Sequence, residues 1–313
     1  MVTLSMPTRD YGLMRHMKKT VSRLNADIEI AYPKFTDILV AVRKMVRERP
    51  FDICEMPFTT YICAKEYGKK FTALPVFITR NFHHWAIFAN RGSGIKTPKD
   101  FEGKTVGVVR GYTVTTGVWA RGMLAEEYGV DLSKVRWAAT DDEHVAEFKL
   151  PPNVDYEFMG RDIGDLFRSG EIVGAVGAVT DDIPGVGPLI PDAMEAGFAF
   201  YRKTGIYPVN HGIVVRDELL ERYPSLAVDL FHALKESKEA YLANLDRMGE
   251  LSAEDALTAR LEQGLGGDPF PYGVEANRKG LEALTRYAFD QNITSRKYAV
   301  EELFAPGTLD LAG

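Results

Sequence analysis

The strongest constraint on the fold is a buried strand followed directly by a helix near the middle of the chain. Residues 105–109 form an apolar run of strand length, and the helix after it is predicted over residues 114–127. A strand, a loop and a helix in this order are the repeating unit of parallel α/β folds. The sequence therefore predicts an α/β protein with a parallel sheet.

Further strands and helices are predicted on both sides of this unit. Polar and apolar residues alternate over residues 27–32, and apolar residues recur at helical spacing from Phe35 to Val46. Thr97, Pro98 and Asp100 form a helix start, with threonine as the N-cap and proline at the first position. Thr59 and Thr60 are predicted to cap another helix. Other strands are predicted at residues 51–56, 74–79, 85–90, 135–139, 172–179 and 208–215, and other helices at residues 163–169, 224–245, 275–289 and 299–304.

Composition places the chain among ordinary globular proteins and excludes some partners. It has 313 residues, of which 45% are hydrophobic and 26% charged, so we expect two domains or one domain with a large insertion. The formal net charge is -6 without a block of lysine and arginine, so nucleic acid is not an expected partner.

The cysteines and the N-terminal residues predict a location. Cys54 and Cys63 have neither CxxC nor Cys/His metal spacing, which indicates buried thiols in a reducing compartment. The first thirty residues carry many charges and no apolar core of a signal peptide. No window approaches a membrane span. We therefore expect a cytoplasmic protein without a membrane partner.

Residues 80–84, Arg-Asn-Phe-His-His, lie between two apolar runs. A cation and two imidazoles at the end of a strand can hold a carboxylate and move a proton at neutral pH. The alternative is a solvated turn whose long side chains reach water. His83 and His84 also suggest a metal, but adjacent residues on a strand point to opposite faces and no third ligand follows at metal spacing. We expect neither a metal nor a cofactor.

A second candidate site for an anion lies at the start of the helix after the central strand. Thr113, Thr115 and Thr116 offer hydroxyls and backbone amides, which suit a carboxylate at a helix N-terminus. Ordinary capping is the alternative, and the two roles are compatible. Arg110 is placed to clamp the same carboxylate bidentately, or else is a solvated arginine at a strand end.

Several segments resemble known proteins. Residues 94–108, Gly-Ile-Lys-Thr-Pro-Lys-Asp-Phe-Glu-Gly-Lys-Thr-Val-Gly-Val, are similar to the hallmark of type II periplasmic-binding-protein folds, which importer binding proteins and several enzymes share. More specific segments resemble the 4,5-dihydroxyphthalate decarboxylase family. These are residues 51–55, 74–77, 80–84, 119–124, 127–130, 200–208 with His211, and 216–224. The Asp10-Tyr11 pair also fits the family's N-terminal pattern, and the resemblance extends over residues 8–245.

The resemblance implies a two-lobed α/β fold with the ligand cleft between the lobes. Lobe 1 would comprise residues 1–109 and 208–313, and residues 110–207 would form the inserted lobe 2. Its implied activity is decarboxylation of a hydroxylated aromatic dicarboxylate such as 4,5-dihydroxyphthalate, by ring protonation and loss of CO₂ in the cleft, giving protocatechuate. The expected partner is a small aromatic carboxylate, and the sequence leaves open a homo-oligomer.

The same resemblance assigns roles to residues. His84 and His211 match family positions and are the acid/base candidates, although His211 is alternatively a satisfied histidine beside a hinge. Glu55 is predicted to accept a hydrogen bond from a ring hydroxyl, or else to cap a helix. The predicted substrate-binding residues are Arg80, His83, Arg110, Thr113, Thr115, Thr116, Thr59 and Thr60.

Two departures from the family pattern bear on the substrate. The chain has Phe82-His83-His84 where the family usually has Phe-Arg-His, and Val108-Val109-Arg110 where it usually has Val-Pro-Glu. His83 is therefore the residue that would mark a changed substrate. The competing functions are capture of a small carboxylate for an ABC-type importer, and ligand sensing without turnover.

Overall fold

A computed structural model describes residues 1–179, 182–245, 247 and 249–313. The chain divides into two compact units. Unit 1 comprises Met1–Asn81, Val209–Glu282 and Tyr298–Gly313, and unit 2 comprises Phe82–Pro208 and Ala283–Lys297. The lobe boundary expected near residue 109 lies inside unit 2, and the division into ligand-binding lobes stays a prediction.

Strands and helices alternate along most of the chain. The strands are β1 (Val2–Ser5), β2 (Ile28–Ala31), β3 (Ile53–Pro57), β4 (Phe71–Thr79), β5 (Ile87–Asn90), β6 (Thr105–Val108), β7 (Arg136–Ala139), β8 (Val154–Asp155), β9 (Gly174–Val176), β10 (Val186–Pro188) and β11 (His211–Arg216). The α-helices are α1 (Gly12–Thr20), α2 (Ile38–Arg47), α3 (Phe58–Glu66), α4 (Thr115–Glu126), α5 (Ile163–Ser169), α6 (Ala193–Thr204), α7 (Asp217–Arg222), α8 (Leu226–Leu245), α9 (Ala253–Leu265) and α10 (Arg278–Asp290).

Unit 1 contains two small sheets. β1 and β2 pair in parallel, and β11 lies between β3 and β4 and is antiparallel to both. His211, the first residue of β11, is opposite Pro57 of β3 and Thr79 of β4. The register with β4 shifts on both sides of Gly212, whose missing Cβ would lie 2.9 Å from the Val76 carbonyl oxygen. This close approach requires glycine beside the first residue of the strand.

The core of unit 1 joins its sheets to two helices. Met14 and Met17 of α1 and Leu230 and Leu234 of α8 are buried in one apolar cluster with Ile213 of β11. Burial of each such side chain stabilises the fold by roughly 1.5–3 kcal/mol. The position of His211 at the end of β11 is thereby fixed by a well-packed strand.

Unit 2 contains a mixed sheet in the strand order β10-β5-β9-β6-β7-β8. β6, β7, β8 and β9 are parallel, while β5 is antiparallel to β9 and β10. α4 follows β6 directly, which confirms the predicted β-loop-α unit. Gly107 of β6 is needed for packing, since a Cβ there would lie 2.6 Å from the Ile163 side chain.

The structure corrects some local predictions. Trp85 and Ala86 belong to a helical turn, His84–Ala86, so the predicted strand begins only at Ile87. The predicted start at Thr97 is confirmed, but it opens a short 3-10 helix, Pro98–Phe101. Pro57 holds the N-cap position of α3, so the predicted threonine cap is wrong. Helices α1, α6 and α7 and strands β8 and β10 were not predicted.

A search of the described residues finds no helix with the length and apolar character needed to cross a membrane.

Candidate active site

The first part of the candidate site is a buried carboxylate in unit 1. Glu55 lies in the middle of β3, where every residue is buried, and its side chain is fully enclosed. Its Oε1 accepts hydrogen bonds from the Tyr11 hydroxyl at 2.6 Å and from His211 Nδ1 at 2.7 Å. Its Oε2 accepts from the backbone amide of Arg9 at 3.0 Å. A buried charge needs hydrogen-bond partners, and here the protein supplies three.

These contacts fix the charge of Glu55 and the orientation of His211. Burial raises the pKa of the Glu55 carboxyl, but the hydrogen bonds from His211, Tyr11 and Arg9 outweigh it and hold that pKa below its ordinary value. A carboxylate only accepts, so Nδ1 of His211 carries the proton. Nε2 is then the nitrogen left to exchange a proton with another molecule. The His211 side chain is 12% exposed, whereas that of Glu55 is fully buried.

Tyr11 is the other side chain that donates a hydrogen bond to Glu55. Its ring is 9% exposed, and burial, followed by the charge of Glu55, raises the pKa of its hydroxyl. The hydroxyl therefore stays protonated and acts as a donor. Sequence reasoning did not assign Tyr11 a role, although the Asp10-Tyr11 pair had already matched the family pattern.

Arg80 lies beyond the end of β4 and is also buried, at 4% exposure. Its Nη1 donates a hydrogen bond to Oδ1 of Asn277, and its guanidinium carbon lies 5.8 Å from the Phe77 ring centroid. Asn277 donates its amide protons to the carbonyls of Pro271 and Gly273, both at 2.8 Å, so its oxygen is turned towards Arg80. Asn277 was missed because a single asparagine in a helical stretch carries no distinctive signal.

Thr59 and Thr60 lie in the first turn of α3 and are fully buried. Their predicted role in substrate binding stays a prediction. Unit 1 therefore holds Glu55, Thr59, Thr60, Arg80 and His211, of which Glu55 and His211 are in direct contact.

In unit 2, His83 and His84 are fully buried. The His83 ring stacks on Trp119 with centroids 6.2 Å apart, and Nε2 of His84 lies 2.7 Å from Oε2 of Glu127. Arg80 is buried as well, so the alternative of a solvated turn is wrong. The two histidines lie at a helical turn, so the strand argument against a shared metal does not apply. The described residues contain no group of three or more histidine, cysteine or acidic side chains suited to a metal.

The predicted anion site before α4 holds a carboxylate of the protein itself. The amides of Tyr112 and Thr113 donate hydrogen bonds to Glu143, and the Thr113 hydroxyl donates at 2.6 Å. Glu143 is 6% exposed, and burial raises the pKa of its carboxyl despite these bonds. Binding of a substrate carboxylate by Thr113 stays a prediction, and Glu143 would compete with that substrate for the same donors.

The other predicted residues of this loop differ in exposure. Thr115 is buried and Thr116 half-buried in the first turn of α4, while Arg110 is exposed. The Arg110 backbone has a φ of 68°, in the left-handed region that non-glycine residues rarely adopt. Its role as a clamp, like the roles of both threonines, stays a prediction.

A buried arginine supports the same loop. Arg121 of α4 is fully buried, donates through Nε to Oε1 of Gln291 at 2.8 Å and through Nη2 to the Tyr112 carbonyl, and stacks 3.9 Å from the Tyr112 ring centroid. Burial lowers the pKa of its guanidinium, and the charge of Glu143 opposes that shift. Sequence reasoning missed Arg121, although a lone arginine in an apolar helix was a usable signal.

Comparison with solved structures defines the class of fold. The periplasmic aliphatic sulphonate binding protein SsuA from Escherichia coli superposes with a TM-score of 0.58, covering 97% of this chain and 92% of its own, at 11% sequence identity. At this identity the likeness concerns the fold alone. It confirms the predicted periplasmic-binding-protein-like α/β fold. A family model described as "NMT1/THI5 like" matches residues 36–162.

Sequence relatives define the family. A 4,5-dihydroxyphthalate decarboxylase from Comamonas testosteroni is 30% identical over 284 residues, covering 84% of this chain and 85% of its own. A 4,5-dihydroxyphthalate decarboxylase from Pseudomonas putida is 30% identical over 169 residues, covering 50% of this chain and 65% of its own. The chain belongs to the 4,5-dihydroxyphthalate decarboxylase family, as the sequence motifs predicted.

Proposed function

We propose that the protein is a carboxy-lyase that converts 4,5-dihydroxyphthalate, or a closely related hydroxylated aromatic dicarboxylate, to the monocarboxylate and CO₂. The observation that carries this proposal is the hydrogen-bonded group of Glu55 and His211 in a chain of the decarboxylase family. The group supplies a histidine with one nitrogen fixed and the other left for proton transfer.

The chemistry needs a proton donor more than any other group. In 4,5-dihydroxyphthalate each hydroxyl is para to a carboxylate, so electron release from one hydroxyl makes the carbon that bears that carboxylate basic. A proton from an acid adds to this carbon, the carbon–carboxylate bond breaks, and its electron pair restores the aromatic ring as CO₂ leaves. A positioned acid contributes on the order of a hundred- to ten-thousand-fold in rate.

His211 is the residue we assign as that acid. The carboxylate of Glu55 holds Nδ1, so a protonated His211 would donate from Nε2 and return to the neutral tautomer with Nδ1–H intact. Glu55 is fully buried and saturated by protein donors, which favours a positioning role over contact with a ring hydroxyl. His84 ranks second to His211, because its Nε2 is already in contact with Glu127.

The experiment measures CO₂ release by the purified protein from 4,5-dihydroxyphthalate and from other hydroxylated phthalates, without added metal. His211→Ala should abolish turnover while calorimetry still detects substrate binding. His232→Ala is the matched control, because His232 is an exposed histidine of α8. The proposal fails if no hydroxylated phthalate releases CO₂ while some other carboxylate binds with micromolar affinity.

Capture of a small carboxylate for an importer is the second candidate. The fold that the chain shares with a periplasmic binding protein favours it. Calorimetric binding and CO₂ release together separate the two functions, since a binding protein would hold its ligand without releasing CO₂.

We also propose an aromatic carboxylate as the natural ligand and the cytoplasm as the location. Both cysteines are buried thiols, which fits a reducing compartment. A homo-oligomer stays a prediction, which analytical ultracentrifugation would test.

A further inference from the structure

A groove in unit 1, distinct from the residues predicted from sequence, has the features of a carboxylate site. It encloses about 660 Å³ between the loop after β1 and the loop after β2. This volume is in the usual range for small-molecule pockets, which is roughly 300–1,000 Å³. Because β1 and β2 are parallel, both loops leave from the carboxyl ends of strands, where α/β proteins commonly bind ligands.

Two cationic side chains of the groove form no ion pair within the described part of the chain. Arg9 and Lys34 are exposed in its lining, and no ion pair or hydrogen bond of either side chain occurs among the described residues. The other charges are already used within the protein. Lys18 binds the carboxylate of Asp10 at 2.6 Å and two backbone carbonyls of the same loop, and Asp37 caps α2 through the Leu39 amide.

A buried hydroxyl provides a second, independent sign of a ligand. Thr8 lines the groove at 9% exposure, and its Oγ1 has no hydrogen-bond partner in the part of the chain that the structure describes. A buried polar atom without a partner costs free energy unless something else, such as a ligand, supplies the missing bond. Tyr32 and Phe35 add half-buried aromatic surface to the same lining.

One backbone segment links the groove to the group that positions the proposed acid. The amide of Arg9 donates to Oε2 of Glu55 at 3.0 Å, and Oε1 of Glu55 lies 2.7 Å from Nδ1 of His211. The loop that presents Thr8 and the Arg9 side chain therefore also helps to hold the carboxylate that orients His211.

We infer that this groove binds the carboxylate of an aromatic substrate, with Arg9 and Lys34 as cationic partners and the Thr8 hydroxyl as a hydrogen-bond donor. The inference rests on the proposed function, since it names the residues that would hold the carboxylate retained during decarboxylation. Tyr32 and Phe35 contact the ring.

The test uses phthalate, which lacks the hydroxyls needed for turnover, as the calorimetric probe on the full chain. Arg9→Gln and Lys34→Gln should each weaken phthalate binding about ten- to a hundredfold, as expected for loss of a charge-assisted hydrogen bond. Thr8→Val should weaken it about three- to tenfold, as expected for a neutral bond. Arg222→Gln and Lys19→Gln, at exposed residues of unit 1 outside the lining, are the matched controls and should bind as the wild type does.

Three outcomes would overturn the inference: no phthalate binding by the wild type, unchanged binding by both cation variants, or equal binding of succinate, which lacks a ring. Turnover then separates this inference from the proposed function. If the variants bind phthalate weakly but no hydroxylated phthalate releases CO₂, the groove stands and the decarboxylase does not. If CO₂ is released with the same KM in Arg9→Gln and Lys34→Gln as in the wild type, the decarboxylase stands and the groove does not.

Discussion

Replacing Glu55 with glutamine tests the group that positions His211. The change keeps the size of the side chain and removes its charge. Oε1 would still accept from Tyr11 and His211, but as a neutral amide oxygen. The new NH₂ group would replace Oε2 and face the backbone amide of Arg9, which is also a donor. One buried pair of donors would then lack an acceptor.

The magnitude follows from these three contacts. A hydrogen bond to a charged group contributes about 1.5–3 kcal/mol and a neutral one about 0.5–1.5, so two converted bonds lose about 2 kcal/mol together. The unmatched donors add about 1–3 kcal/mol. We therefore expect the free energy of unfolding to fall by about 3–5 kcal/mol. We expect kcat to fall about a hundredfold or more, because the charged carboxylate that accepts from Nδ1 of His211 is replaced by a weaker, neutral acceptor.

Urea unfolding followed by circular dichroism measures the stability, and CO₂ release measures kcat. Glu239→Gln is the control, because Glu239 pairs with Lys235 at 2.5 Å on the surface of α8, where such a pair contributes about 0.3–0.5 kcal/mol. A Glu55→Gln protein as stable and as active as this control would refute the assignment of an ionised, structurally required carboxylate.

Three further changes follow from the same contacts. Tyr11→Phe removes one hydrogen bond to the buried carboxylate, so the free energy of unfolding should fall by about 1.5–3 kcal/mol in urea titrations. The Glu55 carboxyl has a lowered pKa, so the stability that it contributes is fully present above its ordinary pKa and is lost as the pH falls. This loss of stability on acidification should be smaller in Tyr11→Phe. The pKa of Glu143 is raised, so the folded state binds more protons than the unfolded state above the ordinary value of 4.5, and stability should fall as the pH rises from there. In Glu143→Gln this decrease of stability with pH should disappear. If the unfolding midpoints of the variant still fall as the pH rises, other groups cause the decrease. Gly122→Ala places a Cβ 2.2 Å from the Tyr287 ring and should destabilise the protein by about 1–3 kcal/mol, whereas Gly267→Ala, with open space around it, should cost much less in the same thermal unfolding assay.

The sequence predicted the fold where local patterns determine it. The strand and helix at residues 105–127 were recognisable because an apolar run and a following helix are local features, and both are present as β6 and α4. Helix α1 was missed because its charged residues, such as Lys18 and Lys19, obscure the apolar positions that face α8. Its packing partner lies more than 200 residues away in sequence, as the contact between Met17 and Ser237 illustrates.

The residues proposed for the site could be chosen by type from the sequence, but their contacts could not. Glu55 and His211 are 156 residues apart, and they meet only because β11 inserts beside β3. Neither strand carries a local sequence pattern that predicts this pairing. Glu143 lies in a polar loop without periodicity, so its occupation of the amides before α4 was invisible from sequence.

The order of strands in unit 1 has a consequence for biosynthesis. β3 and β4 are made early, but the strand that pairs with both is β11, which begins at His211. Until the ribosome has passed that point, each early strand lacks this partner, and the nine residues of Phe71–Thr79 carry mostly buried, apolar side chains. Such unpaired strand edges are prone to pair with other chains, and closing the long loop between β4 and β11 is slow. Nascent chains that stop before residue 211 are therefore expected to expose these strands to chaperones.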